Sequence, residues 1–430
     1  DTGFFENIAL ISCNDPLTPE VEIELSGHAV YAEAYLDVSP AFMDYGNIRT
    51  GASTKARFQL KNMGNDVLTV QDVFTSLGEN FWVDDRLVDL PSEVQPLDYE
   101  YVDVWFSPDE ETTYADLFNV EVDYSEELFE VELEGGGENI DLSMGNLLWN
   151  FYITGDEYDN SPKSIIPIQD VTGDSKADII VNSEDNGLRC LNGNSSGNAD
   201  LIWENNEHGC VYSQNGLTMI EDIDDDGISD IIMGTVWGDR SIIAFSGYSG
   251  KKIWKHDTHE YGDGGWVYQV FAKFDFNTDG YVDVLASAGD DADNTGPKRI
   301  YCLNGEDGSS IWEYQLGGAG FSVIGIEDVN GDGIEDVIAG ASNSDETQGK
   351  VVGIDGAEGT ELWTMFTSGT SVWALAQLDD INDDGIKDVI AGDFSGNYYL
   401  VDPVNGNTVE SGSIGNSLIL RFEPVEDINE

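Results

Sequence analysis

Asp328-Val329-Asn330-Gly331-Asp332-Gly333-Ile334-Glu335-Asp336 is an acidic loop whose copies set the architecture of most of this chain. It recurs as DVTGDSKAD from Asp170, DIDDDGISD from Asp222, DFNTDGYVD from Asp275 and DINDDGIKD from Asp380, with successive starts 52, 53, 53 and 52 residues apart. A single Asp/Asn/Gly-rich stretch reads as a solvated turn. Five copies in register read as a structural unit.

Each loop follows a short apolar stretch such as Val323-Ile324-Gly325-Ile326 and precedes another such as Asp336-Val337-Ile338-Ala339-Gly340. Both are of strand length, so the loop joins a hairpin. A third stretch leads through a Gly-punctuated turn to a fourth that carries Trp, as in AFSGYSGKKIW ending at Trp254, CLNGEDGSSIW at Trp312 and GIDGAEGTELW at Trp363. The first unit has a longer turn ending at Trp203, and the fifth has Glu410 in place of Trp. Four strands repeating near fifty residues describe a β-propeller blade, and the short runs and many glycines exclude a helical solenoid. The propeller is expected over 139–430, with five complete loop repeats and the start of a sixth at Leu418-Ile419-Leu420-Arg421-Phe422 and Glu426 to Glu430. Leu147-Leu148-Trp149-Asn150-Phe151-Tyr152-Ile153 reads as a lone fourth strand that would complete the last blade.

The loops have the donors a hard divalent cation needs. Calcium takes six to eight oxygens in a flexible shell, whereas magnesium demands a tighter octahedron. Side chains at loop positions 1, 3, 5 and 9 with the carbonyl of position 7 can wrap one ion, and Gly at position 6 permits the turn. The sets are Asp222, Asp224, Asp226, Asp230 with Ile228; Asp275, Asn277, Asp279, Asp283 with Tyr281; Asp328, Asn330, Asp332, Asp336 with Ile334; and Asp380, Asn382, Asp384, Asp388 with Ile386. The first, Asp170, Thr172, Asp174, Asp178 with Lys176, is the weakest, since Thr stands at position 3 and Ser175 at position 6. About five calcium ions are expected, acting as staples for the hairpins.

With 84 acidic residues against 18 basic ones the net charge is -66, which repels nucleic acid and anionic membrane surfaces. Five calcium ions would leave about −56, so the remaining charge faces solvent, which fits a saline or calcium-rich exterior. No apolar run is long enough to insert in a membrane. The chain begins with Asp1 and shows no leader, as a processed product or an excerpt would. The cysteines Cys13, Cys190, Cys210 and Cys302 lack metal or redox spacing; Cys190 and Cys210 either pair or, like most free cysteines, fill the core.

The segment Gly320 to Ala341 resembles the FG-GAP/VCBS repeat of integrin-α-type propellers, which implies calcium at the loop positions named above. The turns from Asp355-Gly356 to Trp363 resemble those of quinoprotein (PQQ-type) propellers, which implies blade architecture.

Residues 36–138 read as strands spaced by about ten residues, an antiparallel sandwich. Tyr45-Gly46, Asn62-Met63-Gly64 and Phe106-Ser107-Pro108 resemble the FGxxxxG, NxGxxxL and FxP pattern of Hydin-type (ASH, choice-of-anchor) Ig-like domains. Residues 1–35 resemble the last two strands of a preceding copy, and Gly135-Gly136-Gly137 reads as a flexible linker. The expected class is therefore all-β, Ig-like β-sandwich modules followed by a propeller of four-stranded blades.

No GxSxG, HExxH or P-loop occurs, and His256 with His259 offers two imidazoles in what reads as an exposed loop. The expectation is a non-enzymatic extracellular surface protein for adhesion or assembly into a fibre or surface layer. Its partner, a protein or glycan, would meet the face opposite the calcium loops, where His256, Tyr261, Asp263, Trp266 and Trp373 are candidates, as are Trp237 to Arg240 and the insert Asp290 to Asn294. A quinoprotein-like or carbohydrate-acting enzyme is the alternative.

Overall fold

In the computed structural model the described residues are 3–12, 20–29, 33–84, 89–140, 143, 145–153, 161–261, 265–289, 296–415 and 417–424. They form strands, apart from two short 3-10 turns at Gln214–Gly216 and Thr258–Tyr261. No helix is long and apolar enough to cross a membrane among the described residues. Cys13, Asp263, the insert 290–294 and the final loop start 426–430 lie outside the described residues. By contact the chain divides into two units, Asp1–Asn150 with Asn194–Asp200, and Phe151–Gly193 with Leu201–Glu430.

In the first unit, β1 (Gly3–Ser12) and β2 (Glu20–Ala29) pair as an antiparallel hairpin. Nine strands follow: β3 (Leu36–Ser39), β4 (Phe42–Arg49), β5 (Thr54–Asn62), β6 (Leu68–Thr75), β7 (Phe81–Val83), β8 (Ser92–Val94), β9 (Tyr99–Phe106), β10 (Thr113–Val122) and β11 (Phe129–Glu138). They make two sheets, β4-β11-β10-β6-β8 and β3-β5-β9-β7, which share one core including Phe58, Phe81, Phe106 and Phe118. Pairing is antiparallel except where β4 runs parallel to β11, a departure from the all-antiparallel expectation.

The sequence signature of this unit has a structural basis. The fully buried Asn62 donates Nδ2–H to the carbonyls of Asp66 and Val94, at 2.8 and 2.9 Å, and its Oδ1 accepts the Gly64 N–H at 2.9 Å. A Cβ at Gly64 would stand 2.0 Å from the Glu33 carbonyl oxygen, so the turn admits only glycine. Tyr45 donates to the Val104 carbonyl, and Ser107 to that of Ala52. Gly135, Gly136 and Gly137 are not a linker. They lie buried within β11, where added Cβ atoms would meet the Phe106 ring, Asn47 Oδ1 and the Glu110 carbonyl at 2.0–2.5 Å. Close approach, not flexibility, selects them.

The short β12 (Trp149–Asn150) pairs in parallel with β16 (Gly197–Asn198). That pair is a two-stranded sheet of its own among the described residues, not the fourth strand of a last blade that the sequence suggests.

The second unit holds five four-stranded antiparallel sheets in chain order. Blade one is β13 (Pro162–Ile168), β14 (Asp178–Ser183), β15 (Leu188–Leu191) and β17 (Leu201–Asn205); blade two is β18 (Leu217–Ile220), β19 (Asp230–Gly234), β20 (Ser241–Phe245) and β21 (Lys252–Asp257). Blade three is β22 (Val267–Phe271), β23 (Val284–Ala288), β24 (Arg299–Leu303) and β25 (Ser310–Gln315). Blade four is β26 (Gly320–Ile326), β27 (Asp336–Ser342), β28 (Gly349–Ile354) and β29 (Glu361–Phe366), and blade five is β30 (Val372–Gln377), β31 (Val389–Asp393), β32 (Asn397–Val401) and β33 (Thr408–Ser413). First strands pack on first strands of the next blade.

Apolar clusters sit between consecutive blades, one combining Ile232, Ala244, Val270 and Tyr301, and the next Leu285, Ile300, Val337 and Val352. Both faces of an inner strand are therefore covered, which is why Ile231-Ile232-Met233 and Ile242-Ile243-Ala244-Phe245 are continuous apolar runs without alternation. Ile419 and Phe422 lie against Gly392 of β31, and the Ile419 N–H bonds the Asp393 carbonyl. Cys190, Cys210 and Cys302 are buried free thiols, so the possible Cys190–Cys210 bridge is not formed.

Candidate metal loops

The loops lie between the first and second strands of each blade, and their construction repeats residue for residue. Position 9 begins or immediately precedes the second strand, and it is fully buried in all five blades: Asp178, Asp230, Asp283, Asp336 and Asp388. One oxygen accepts the backbone N–H of position 2, from Val171, Ile223, Phe276, Val329 and Ile381, at 2.7–2.8 Å. The other accepts a glycine N–H from the turn after the third strand, Gly193, Gly247, Gly305 and Gly356, at 2.9–3.3 Å. Blade five has Pro403 there, which carries no N–H, and Asp388 instead takes the Asn382 amide at 3.3 Å.

Position 1 closes the loop from the other side. Asp222, Asp275, Asp328 and Asp380 accept the N–H of Gly227, Gly280, Gly333 and Gly385 at 2.7–2.9 Å, and Asp170 accepts that of Ser175 at 2.5 Å. Position 6 is left-handed throughout, with φ from 93 to 99° at the glycines and 67° at Ser175. Position 4 is left-handed as well, at Gly173, Asp225, Thr278, Gly331 and Asp383, a second bend that the glycine at position 6 does not announce. Thr278 bears it at φ 60°, a strained conformation for a β-branched residue.

Burial pushes Asp178, Asp230 and Asp283 up to about 7 against the lowering effect of their backbone N–H partners, and raises Asp336 in the same direction. In contrast, the N–H groups of Gly331 and Gly333 hold Asp328 below the usual range. In loop two, carboxylate oxygens of Asp222, Asp224 and Asp226 lie within 4.8 Å of one another. Burial and then the neighbouring Asp226 raise Asp224. An all-oxygen set of crowded like charges suits a hard cation better than a zinc-type ion. Loop one is the poorest set: Thr172 is buried and spends its hydroxyl on Asp170, and Lys176 follows the turn.

Two connections between loops are new relative to the sequence reading. The residue before each loop reaches the position-8 N–H of the next: Gln169 to Ser229, Glu221 to Val282 and Glu327 to Lys387, each at 2.7 Å. Blade three has Phe274 at that place and makes no such bond. The fourth-strand Trp supplies the second connection. Trp203, Trp254, Trp312 and Trp363 donate the indole N–H to the carbonyls of Gly247, Gly305, Gly356 and Pro403 in the following blade, at 2.6–3.0 Å. The same three glycines donate to the buried Asp of their own blade. A Cβ at any of them would lie 1.8–2.0 Å from the carbonyl oxygen of loop position 8.

The PQQ_2 family model, described as outer membrane protein assembly factor BamB, matches residues 238–418, from the second blade into the chain after the fifth. The second unit is a β-propeller. Solved structures similar to this chain include the Dos1 propeller, at 10% identity over 90% of this chain and 74% of that one with TM-score 0.44. The quinohemoprotein alcohol dehydrogenase of Comamonas testosteroni aligns at 13% identity over 62% and 45%, TM-score 0.40. The ASH/PapD-like domain 7 of human CEP192 aligns at 12% identity over 25% of this chain and 87% of that one, TM-score 0.20. No curated protein matches the sequence.

At the opposite end of the first strands the propeller gathers aromatic side chains. The sequence candidates Trp266 and Trp373 meet there with Tyr212, Tyr268 and Phe321, which periodicity hid because each sits in a different blade or loop. Trp237 joins through Trp266, 5.0 Å between ring centroids, and Asp239 of the same turn pairs with His208 and Lys255. His256 and His259 are separately engaged: His256 Nδ1 lies 3.1 Å from the Gly308 carbonyl, and His259 pairs with Asp257.

Proposed function

We propose that the chain is a non-enzymatic, extracellular calcium-binding protein in which Ig-like sandwich modules carry a calcium-stabilised propeller of FG-GAP/VCBS type, serving adhesion or assembly into a surface layer or fibre. The observation that carries this reading is the fivefold repetition of one fully buried aspartate behind a loop of oxygen donors. A buried carboxylate crowded by others is costly without a compensating cation. Asp222, Asp224, Asp226 and Asp230 with the Ile228 carbonyl would hold one ion, and the corresponding residues of the other loops one each. A bound ion would supply charge neutralisation and stiffness, with no part in bond chemistry. Loops of this kind fill at extracellular calcium levels more readily than at cytosolic ones, which supports a location outside the cell.

Calorimetric titration of the chelator-stripped protein with calcium should find about five sites, loop one the weakest, and heat unfolding should shift upward on refilling. An unchanged melting profile with and without chelator overturns the reading. The PQQ_2 match keeps a quinoprotein-like enzyme as the second reading. Visible absorbance from a bound quinone, or turnover of an alcohol or sugar after calcium refilling, would favour it instead.

A further inference from the structure

Tyr212, Tyr268, Phe321 and Trp373 form one wall at the loop-free end of the propeller's first strands. Trp373 stacks on Phe321 at 4.4 Å and 22°. Tyr268 meets Trp373 edge-on at 5.1 Å, and Tyr212 lies 5.3 Å from it. Beside this wall opens a cavity of ≈ 200 Å³, which Ser213 and Asn215 also line.

The polar groups around the cavity differ in how they are used. Gln269 is locked, donating to the Trp373 carbonyl at 3.2 Å and accepting the Val323 N–H at 3.4 Å. Gln214 is locked on both backbone groups of Ile165. The side chains of Ser213 and Asn215 are half-buried and have no hydrogen-bond partner among the described residues. Among the described residues Arg421 is the one charged member of the lining, and it pairs with Glu423 at 2.6 Å. No carboxylate lines the cavity among the described residues.

That combination selects a ligand. A cation would want a carboxylate beside the rings, and among the described residues the lining supplies none. A phosphate would want an uncommitted positive charge. A lipid tail would leave the hydroxyl and the amide unused. A pyranose satisfies all the groups: its C–H bonds present partial positive charge to the negative ring faces, and its hydroxyls bond to an amide and a hydroxyl.

We propose that this cavity binds a neutral hexose unit of a glycan, with the sugar stacked on the Trp373 and Tyr212 rings and held at its rim by Asn215 and Ser213. It rests on the binding reading above, and names its ligand class and site.

The test titrates the whole calcium-loaded chain with cellotetraose, maltotetraose, chitotetraose and mannotetraose, followed by tryptophan fluorescence and calorimetry. At least one should give saturable binding. Trp373→Ala and Asn215→Ala should each weaken it roughly tenfold or more, while Tyr101→Ala in the first unit leaves it unchanged. Asn215→Ala removes only a half-buried amide, so it carries the test alone if Trp373→Ala does not fold. Absence of saturable binding by all four sugars, binding unmoved by Asn215→Ala, or binding only of acidic polysaccharides overturns the proposal. A blank titration of a protein whose melting still drops with chelator overturns this inference and leaves the calcium reading standing. An unchanged melt overturns that reading, whatever the sugars do.

Discussion

The two units of this chain solve the same problem, holding acidic sheets together, by different means. In the first, the cost of charge is met by pairing. Burial would raise Asp103, but Arg57 and Lys55 on the neighbouring strand outweigh it and hold its carboxyl below the usual range. In the propeller, the five deepest loop carboxylates meet backbone N–H groups and, at Asp336 and Asp388, an asparagine amide, and burial raises Asp178, Asp230 and Asp283 to about 7. Asp103 has its counter-charges on the neighbouring strand, whereas on the proposed reading the loop carboxylates would take theirs from bound ions. Stability of the first should therefore be lost in acid, as Asp103 is protonated, and that of the second should follow the divalent ion.

The sharpest way to break this contrast is to remove the ions. Chelation should lower the propeller's melting transition by roughly 10 °C or more, since each site filled at a hundredfold excess over its Kd contributes about 2.7 kcal/mol. The transition of the first unit should stay in place in the same scan. Two transitions moving together would erase the distinction.

Next in size, Phe58→Ala in the first unit and Trp312→Ala in the propeller should each cost about 3–5 kcal/mol in denaturant unfolding. The first loss should be the same with and without calcium. The second should also weaken calcium binding, because the indole of Trp312 holds the carbonyl of Gly356, whose N–H holds Asp336.

A smaller effect separates the units by pH. Asp103 has a depressed pKa, so its stabilisation is complete above the unfolded value of about 3.9 and fades as pH falls through the lower folded value. Asp103→Asn should cost about 1–3 kcal/mol at neutral pH and flatten the acid limb of the first unit's stability curve. An acid limb that keeps its shape in the variant would place the sensitivity elsewhere.

The smallest changes are gains. Ser175→Gly and Thr278→Gly relieve side chains at φ 67° and 60° and should each add about 1 kcal/mol to propeller stability. A loss at either position would mean that the side chain contributes more than its backbone strain costs.

How much of this was legible in the sequence depended on repetition. Asp336 and its four counterparts could be aligned because the loops recur, so strand order, loop position and the Trp-bearing fourth strand were all readable. Features that occur once were misread or missed. The three glycines at 135–137 look like a linker until the Phe106 ring is seen against them. Trp149 looks like a fourth strand until its parallel partner is known. The ring contacts among Tyr212, Tyr268, Phe321 and Trp373 join residues up to 161 positions apart, and no local pattern announces them. The stitches from Gln169, Glu221 and Glu327 did leave a trace, a long polar residue just before the loop in three of five copies.

Those stitches have a gap with a mechanical meaning. Phe274 replaces the long polar residue ahead of the third loop, so the hydrogen-bonded rim is uninterrupted across blades one to three, is broken before blade four, and resumes from four to five. The rim is thus two laced panels with a seam between them, at which opening under tension should begin. Strain arriving from either end meets a different join at that seam, made of apolar packing, the Trp312 lock and the side-chain bonds from Tyr314 to Glu361 and from Val323 to Gln269.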